Sequence, residues 1–203
     1  MQFTLKNRVM RDQIKLDIEE SIKVKNDLIE ISIDDIENAA KLIIRCILNG
    51  GKVLWCGNGG SAADAQHLST ELMGGMTDHN RRPIPSIALT TDTSFITAWS
   101  NDTDFESVFS RQIQGIGLEG DVLVAISTSG NSTNVISAIK QAKYKRINTI
   151  LFTGNSKSIL TQISDVAVCV PSKNTQRIQE CHIMIGQIIC GLVENGLSNE
   201  YDD

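Results

Sequence analysis

The segment KVLWCGNGGSAADAQHLSTE, residues 52–71, predicts a strand, a glycine-rich turn and a helix in immediate succession. Its apolar run at residues 53–56 is typical of a buried strand, and GNGG at residues 57–60 predicts a turn where backbone approaches a ligand closely. We expect Ser61 to be the helix N-cap, with Asp64 at the capping-box position. The helix start would then offer N–H groups and a positive dipole end to an anion or a sugar.

One turn into this helix, His67 and Glu71 stand at positions i and i+4 and therefore share a face. Such a pair suits metal ligation or acid–base chemistry, but it also occurs as an ordinary solvated helix face. The glycine turn likewise occurs after strands that bind nothing. Its spacing is not the dinucleotide fingerprint, which needs a glycine at Ala62, and no lysine follows to make a P-loop.

The composition of the 203 residues is that of an ordinary globular domain, with 41% hydrophobic and 21% charged residues. A net charge of −5 argues against a nucleic-acid-binding surface, which is usually basic. We find no apolar run of signal-peptide or membrane-spanning type, and the five cysteines form no close-spaced pair. These features predict a single domain in the cytoplasm with reduced, buried thiols.

Strand-like and helix-like segments alternate along the rest of the chain. Further strands are predicted at residues 86–89, 121–126, 149–152 and 165–170. Further helices are predicted at residues 93–100, 104–117, 133–143 and 175–195. This alternation predicts an α/β fold with a doubly wound parallel sheet, whose ligands bind beyond the carboxyl ends of the strands.

A hydroxyl-rich loop follows the third predicted strand. Around Gly130 it carries the hydroxyls of Ser127, Thr128, Ser129 and Ser132, directly before a helix. Hydroxyls and free N–H groups at a helix start suit a phosphate monoester, although the same hydroxyls could simply cap the helix. The pair Asn101-Asp102 is expected at the same sheet edge, where it could hold sugar hydroxyls or simply end a helix.

Two helices are predicted before the organising segment. Residues 9–31 carry an apolar stripe, which either the domain itself or a partner subunit must cover: Ile14, Ile18, Ile22, Val24 and Leu28. Ser32 is expected to cap a second helix, which Gly50-Gly51 would end. The predicted buried face of that second helix comprises Ile36, Ala40, Ile43, Ile44 and Ile47.

The motifs CGNGGSAADAQHLSTEL, SND, DVLVAISTSGNS and RIQECHI, in this order, resemble the sugar isomerase (SIS) domain and, within it, bacterial phosphoheptose isomerases. The resemblance covers nearly the whole chain. It implies one flavodoxin-like SIS domain over residues 1–203, with residues 1–50 as a helical segment used in oligomer packing. It also implies a cytoplasmic homotetramer that acts on a small sugar phosphate and involves neither nucleic acid nor membrane.

The activity implied by the resemblance is an aldose–ketose isomerisation, an intramolecular oxidation and reduction. Sedoheptulose 7-phosphate would become D-glycero-D-manno-heptose 7-phosphate through an enediol, toward the heptose of lipopolysaccharide. The resemblance implies one Zn²⁺ per active site, with His67, Glu71 and Gln179 as ligands and Glu71 as the catalytic carboxylate. The implied substrate contacts are Asn58, Gly59, Gly60, His67, Glu71, Asn101, Asp102 and Gln179, with the phosphate held by Ser127, Thr128, Ser129 and Ser132.

The chain departs from the family pattern on its last helix. Gln187 stands where the family has a second catalytic histidine that is also a metal ligand, eight residues after Gln179. A glutamine amide cannot transfer a proton near neutral pH, and zinc prefers nitrogen, sulfur or carboxylate ligands. An arginine that usually follows the family glutamate is absent as well; Arg81 or Arg82 could replace its charge. Gln176 stands where the family often has an aspartate.

A non-catalytic SIS protein is therefore the alternative. Such a protein would bind a sugar phosphate or a protein partner, as in the replication-initiator-associating type. That relative lacks the glutamate of the QHxxxE helix, whereas this chain keeps Glu71. Gln187 favours the alternative and Glu71 favours the isomerase. The exact sugar phosphate and the downstream pathway stay open at this stage.

Overall fold

A five-stranded parallel sheet forms the centre of the protein. A computed structural model describes residues 2–154 and 157–198, with side chains from residue 9 onward. The strands are β1 (Val53–Gly57), β2 (Ser86–Ala88), β3 (Val122–Ser127), β4 (Asn148–Gly154) and β5 (Val166–Val170). Their spatial order is β2-β1-β3-β4-β5, with every neighbouring pair parallel. The doubly wound α/β sheet is thus confirmed, and its switch point lies between β1 and β3.

Helices cover both faces of the sheet. They are α1 (Gln2–Leu48), α2 (Gly60–Gly74), α3 (Thr93–Asp102), α4 (Val108–Ile116), α5 (Thr133–Tyr144), α6 (Ile159–Ile163) and α7 (Thr175–Ser198). Side chains alternate along the strands, so that Trp55 packs with α1, α2 and α7 whereas Leu54 packs with α4 and α5. None of the helices in the described ranges is long and apolar enough to cross a membrane.

The prediction of two N-terminal helices is wrong, because α1 runs without interruption through Ser32. This serine is buried, and its hydroxyl donates a hydrogen bond of 3.0 Å to the carbonyl oxygen of Cys169 in β5. Neither glycine nor proline interrupts residues 2–48, so the backbone can stay helical while the hydroxyl finds a partner outside the helix. The helix ends just before Gly50-Gly51, as predicted.

The apolar stripe of α1 divides into two parts. Val24 and Leu28 are buried in the core, whereas Ile14, Ile18 and Ile22 are 54–58% exposed. The domain's own core therefore covers only the second part of the stripe.

Three local predictions also need correction. Ser61 is not an N-cap, because α2 begins at Gly60, and the cap residue is Gly59 with φ of 56°. Asn101 and Asp102 form the last turn of α3 instead of a break.

The helix α4 starts at Val108, four residues later than predicted, and Phe105 before it is therefore exposed. Ile116 at the end of α4 was predicted to face inward but is also exposed. The short helix α6 was not predicted at all.

His182 on α7 is fully buried, and its ring lies 6.0 Å from that of Phe152 in β4. Burial disfavours the charged imidazolium, and this lowers the pKa of His182 from 6.5 to about 4, against a smaller opposing effect from the Thr153 backbone. The fold therefore holds this histidine in its neutral form.

Acid should consequently destabilise the protein through His182. Between pH 6.5 and 4 the unfolded chain binds a proton at this position that the folded chain does not, so the free energy of unfolding should fall by about 3 kcal/mol across that window. Denaturant unfolding at pH 7.5, 5.5 and 4.5 measures this slope. His182→Gln should flatten it, whereas the matched change at exposed His79, His79→Gln, should not. An unchanged slope in His182→Gln would assign the acid sensitivity to other groups.

Candidate active site

The two predicted loops meet at the carboxyl edge of the sheet. Gly57 at the end of β1 lies in register with Ile126 near the end of β3. The glycine turn therefore stands beside the hydroxyl loop, at the switch point of the sheet. Ligands of doubly wound folds bind at this point.

The α2 helix presents His67 and Glu71 on one face, as predicted. Nε2 of His67 lies 3.0 Å from Oε1 of Glu71, and the two side chains are 47% and 22% exposed. Gln187 of α7 joins them, with its Nε2 atom 3.4 Å from Nε2 of His67. The structure thus brings the predicted residues of two distant helices to one place.

A glycine on α7 makes this close approach possible. A Cβ atom at Gly186 would lie only 2.3 Å from Cδ1 of Leu68 on α2. The neighbouring residue, Gln187, can therefore reach His67 across the helix interface. A larger residue at position 186 would require the Leu68 side chain to shift.

Gln179 lies against the glycine turn. A Cβ atom at Gly60 would be 2.5 Å from Nε2 of Gln179, so a larger residue there would require the Gln179 side chain to move. This contact brings the amide of α7 to the start of α2. The close approach of a ligand to the backbone of the glycine turn stays a prediction.

The hydroxyl loop is held together by its own side chains. Oγ of Ser127 lies 3.1 Å from Oγ of Ser132, and the N–H of Asn131 donates to Oγ of Ser129 at 3.2 Å. Ser132 is the N-cap residue of α5, but its side chain does not cap the helix. The first-turn N–H groups of α5 are therefore not satisfied by this hydroxyl, which favours the ligand interpretation of the loop over the capping one.

A cavity of about 270 Å³ opens beside this loop. Thr128 and Ser129 line one side of it, and Lys173, from the segment that leads into α7, lines another. The cavity is large enough for a phosphate group. Its lining combines hydroxyls with one cationic side chain.

Asn101 and Asp102 are exposed at the end of α3. Nδ2 of Asn101 donates a hydrogen bond of 2.8 Å to Oδ1 of Asp102. Their role in binding sugar hydroxyls stays a prediction.

Asp64, whose sequence position predicts only a role in helix capping, lies close enough to His67 to interact with it electrostatically. It precedes His67 by three residues and Glu71 by seven, a spacing that places all three on one helix face. Burial raises the pKa of the Asp64 carboxyl, and the nearby His67 opposes this rise. The spacing could have identified it as a second carboxylate beside the pair.

Arg81 does not lie at the hydroxyl loop, so it does not replace the missing cation there. Its Nε atom pairs at 2.6 Å with Oε2 of Glu194, a buried carboxylate on α7. Its Nη2 atom donates to the carbonyl oxygens of Glu71 and Leu72, both at 2.9 Å. Arg81 therefore fixes the end of α2 that carries Glu71. Replacement of that charge by Arg82 stays a prediction.

Glu194 accepts several hydrogen bonds in this network. Burial alone would raise its pKa, but hydrogen bonds from Thr77, Arg81 and the backbone N–H groups of Met76 and Thr77 hold the pKa well below its ordinary value. The carboxylate is therefore charged in the folded protein at neutral pH. It ties the loop after α2 to α7.

The donor set does not fit a tightly bound zinc ion. Zinc sites use imidazole, thiolate and carboxylate ligands, usually four of them in tetrahedral geometry. Here His67 and Glu71 supply two such groups, but Gln179 and Gln187 supply only amides. No group of three histidine, cysteine, aspartate or glutamate side chains suited to a metal occurs among the residues that the structure describes.

Comparison with known proteins places the chain in a family. The SIS domain family matches residues 18–154. The chain is 47% identical to the phosphoheptose isomerase of Aquifex aeolicus, over 91% of this chain and 96% of the relative. It is 42% identical to that of Coxiella burnetii, over 94% and 97%.

Solved structures agree with this relationship. The phosphoheptose isomerase of Neisseria gonorrhoeae superposes with a TM-score of 0.87 at 41% identity, covering 92% of this chain and 99% of the other. That of Francisella tularensis superposes with a TM-score of 0.88 at 37% identity, covering 91% and 97%. Sequence, fold and the arrangement of the two loops lead to one conclusion: the chain belongs to the SIS domain family and, within it, to the phosphoheptose isomerases.

Proposed function

We propose that this protein interconverts sedoheptulose 7-phosphate and D-glycero-D-manno-heptose 7-phosphate. The observation that carries the proposal is the His67–Glu71 pair, at 3.0 Å, beside a hydroxyl loop at the sheet's switch point. A coupled assay of the purified protein with sedoheptulose 7-phosphate tests it. Absence of turnover would refute the isomerase.

The reaction moves one proton between C1 and C2 and another between the two oxygens. Glu71 would take the carbon proton as general base and return it to the neighbouring carbon as general acid, through an enediol. His67, whose Nε2 atom lies 3.0 Å from Oε1 of Glu71, would orient the carboxylate. Gln187 can donate a hydrogen bond to a substrate oxygen but cannot transfer a proton.

The hydroxyl loop would hold the substrate phosphate. Ser129→Ala and Ser132→Ala each remove a donor to a charged acceptor, an interaction typically of about 1.5–3 kcal/mol, so sugar-phosphate affinity should fall about 10- to 100-fold. Isothermal titration measures this loss. Thermal stability should change little.

Ser137→Ala, about one turn further along α5, is the matched control and should bind as the wild type does. If both loop variants kept full affinity, the phosphate would have to bind elsewhere. A loss of affinity in the control as well would indicate a general effect on α5.

We propose that zinc, where it binds, is held weakly through His67 and Glu71. The remaining nearby donors are the amides of Gln179 and Gln187, and carboxamide oxygen is a poor zinc ligand. Metal analysis after dialysis should therefore give less than one zinc per chain.

We propose that α1 mediates assembly, most simply into a homotetramer. Its apolar side chains Ile14, Ile18 and Ile22 are more than half exposed, and so are Val9 and Met10. An exposed apolar face of this length marks an interaction surface. Ile14→Asp/Ile18→Asp should dissociate the oligomer in sedimentation velocity, whereas Lys15→Asp between them should not. A wild-type monomer at micromolar concentration would refute the interface.

The site lends the non-catalytic alternative little support. Its one favourable feature is Gln187, whereas the intact His67–Glu71 pair favours catalysis. We further propose a cytoplasmic location and a role in supplying heptose for lipopolysaccharide, in keeping with a biosynthetic sugar-phosphate isomerase.

A further inference from the structure

The side chains of Asn58 and Asn134 form a closed pair of amides. Nδ2 of Asn58 donates to Oδ1 of Asn134 at 2.8 Å, and Nδ2 of Asn134 donates back to Oδ1 of Asn58, also at 2.8 Å. Each amide thereby fixes the orientation of the other. Each keeps one N–H outside the pair, because a carboxamide has two.

The pair joins the two halves of the candidate site. Asn58 belongs to the glycine turn after β1, and Asn134 is the second residue of α5, directly after the hydroxyl loop. Asn134 is 2% exposed, so a partner lost at this position would leave a buried amide unsatisfied. The β1–β3 ladder aligns the strands only as far as Gly57 and Ile126, and the pair continues the alignment into the loops.

We infer that Asn134, through Asn58, is a positioning residue that sets the separation between the phosphate-binding loop and the reacting carbons. The inference rests on the proposed isomerisation. A sugar phosphate held at its phosphate end must present C1 and C2 to Glu71 several bonds away, and a displacement of about 1 Å can cost about 10²-fold in rate. The glycine turn precedes α2, which carries Glu71, so the pair links the anchor of the substrate to the catalytic carboxylate.

Other roles for the pair fit the geometry less well. If Asn58 bound substrate through its whole amide, its oxygen and one N–H would not both be engaged with Asn134. If Asn134 served only to cap α5, it would bond to the helix backbone instead of to the other loop. The reciprocal geometry is specific to alignment of the two loops.

Asn134→Ala, Asn58→Ala and the double variant test the inference. Each single variant should lower kcat/KM for sedoheptulose 7-phosphate by about 10- to 100-fold, mainly through kcat. The inhibition constant of inorganic phosphate, which probes the hydroxyl loop alone, should change by less than about threefold. Because the residues act as a unit, the double variant should be no worse than the more impaired single variant.

Asn49→Ala is the matched control and should have no effect, since Asn49 lies in the turn between α1 and the start of β1, at the opposite edge of the sheet. Unchanged kcat/KM in the single variants would overturn the inference. Inhibition by inorganic phosphate that weakens as much as kcat/KM falls would also overturn it, because Asn134 would then be part of the phosphate-binding site. Additive effects in the double variant would overturn it as well. If Asn134→Ala fails to fold, Asn58→Ala carries the test.

A failure of the proposed function can be told apart from a failure of this inference. If the wild type shows no turnover, the proposed function fails. The affinity of the protein for sedoheptulose 7-phosphate and its affinity for inorganic phosphate, each measured by titration, then take the place of kinetics. The positioning role of the pair is then supported if the variants lose affinity for the sugar phosphate but not for inorganic phosphate. It is refuted if they lose both or neither.

Discussion

Glu71→Gln is expected to lower kcat about 10²- to 10⁴-fold, the range that general acid–base catalysis typically contributes. The amide keeps the shape of the side chain and its place 3.0 Å from His67, but it cannot accept the carbon proton. Substrate affinity should change much less than kcat. The coupled assay measures the rate, and titration with sedoheptulose 7-phosphate measures the affinity.

Two further variants make this result specific. Glu119→Gln removes an exposed carboxylate that pairs with Arg146. Both residues precede strands, at the amino edge of the sheet and away from the site, so the rate should stay unchanged. Asp64→Asn tests the second carboxylate of the same helix face. If Glu71→Gln retained most of the activity while Asp64→Asn lost it, Asp64 would be the acid–base group.

Gln187→His is expected to raise both the zinc content and the rate. An imidazole at this position would approach His67, since the present amide nitrogen is already 3.4 Å from Nε2 of that residue. Two imidazoles and the Glu71 carboxylate would supply three of the four ligands that zinc prefers. A second group able to transfer protons could add about 10²-fold to the rate, the lower end of the usual range.

The comparison uses four proteins: the wild type, Gln187→His, Glu71→Gln and the variant that combines these two changes. The combined variant should be inactive, because the added imidazole does not replace the carboxylate. Gln114→His, which adds a histidine at an exposed position of α4, should change neither quantity. If the wild type already equals Gln187→His in zinc content and rate, the prediction is wrong and glutamine is an adequate substitute at this position.

Much of the fold could be predicted from the sequence because each signal is local. Continuous apolar runs identified all five strands within a few residues of their bounds. Alternation with helices led to the parallel sheet, and the glycine turn and hydroxyl loop followed from their positions after β1 and β3. The pairing of His67 with Glu71 needed only the helical period.

Errors arose where a local signal competed with tertiary contacts. Ser32 has a strong capping preference, but a carbonyl of β5 satisfies its hydroxyl and lets α1 continue. Ser61 is a residue type that often caps helices, but α2 begins one residue before it, after Gly59 with its positive φ. Arg81 had the right charge for a phosphate, but buried Glu194 binds it instead.

The sequence thus predicted the order of the five strands, the two loops at the sheet edge and the His67–Glu71 pair. Each of these depends on residues close together in the chain. Only the tertiary structure decided that Gln187 meets His67 and that Asn58 pairs with Asn134, at separations of 120 and 76 residues. Such contacts depend on the packing of α7 on α2 and on the switch in strand order, which periodicity along a single chain does not encode.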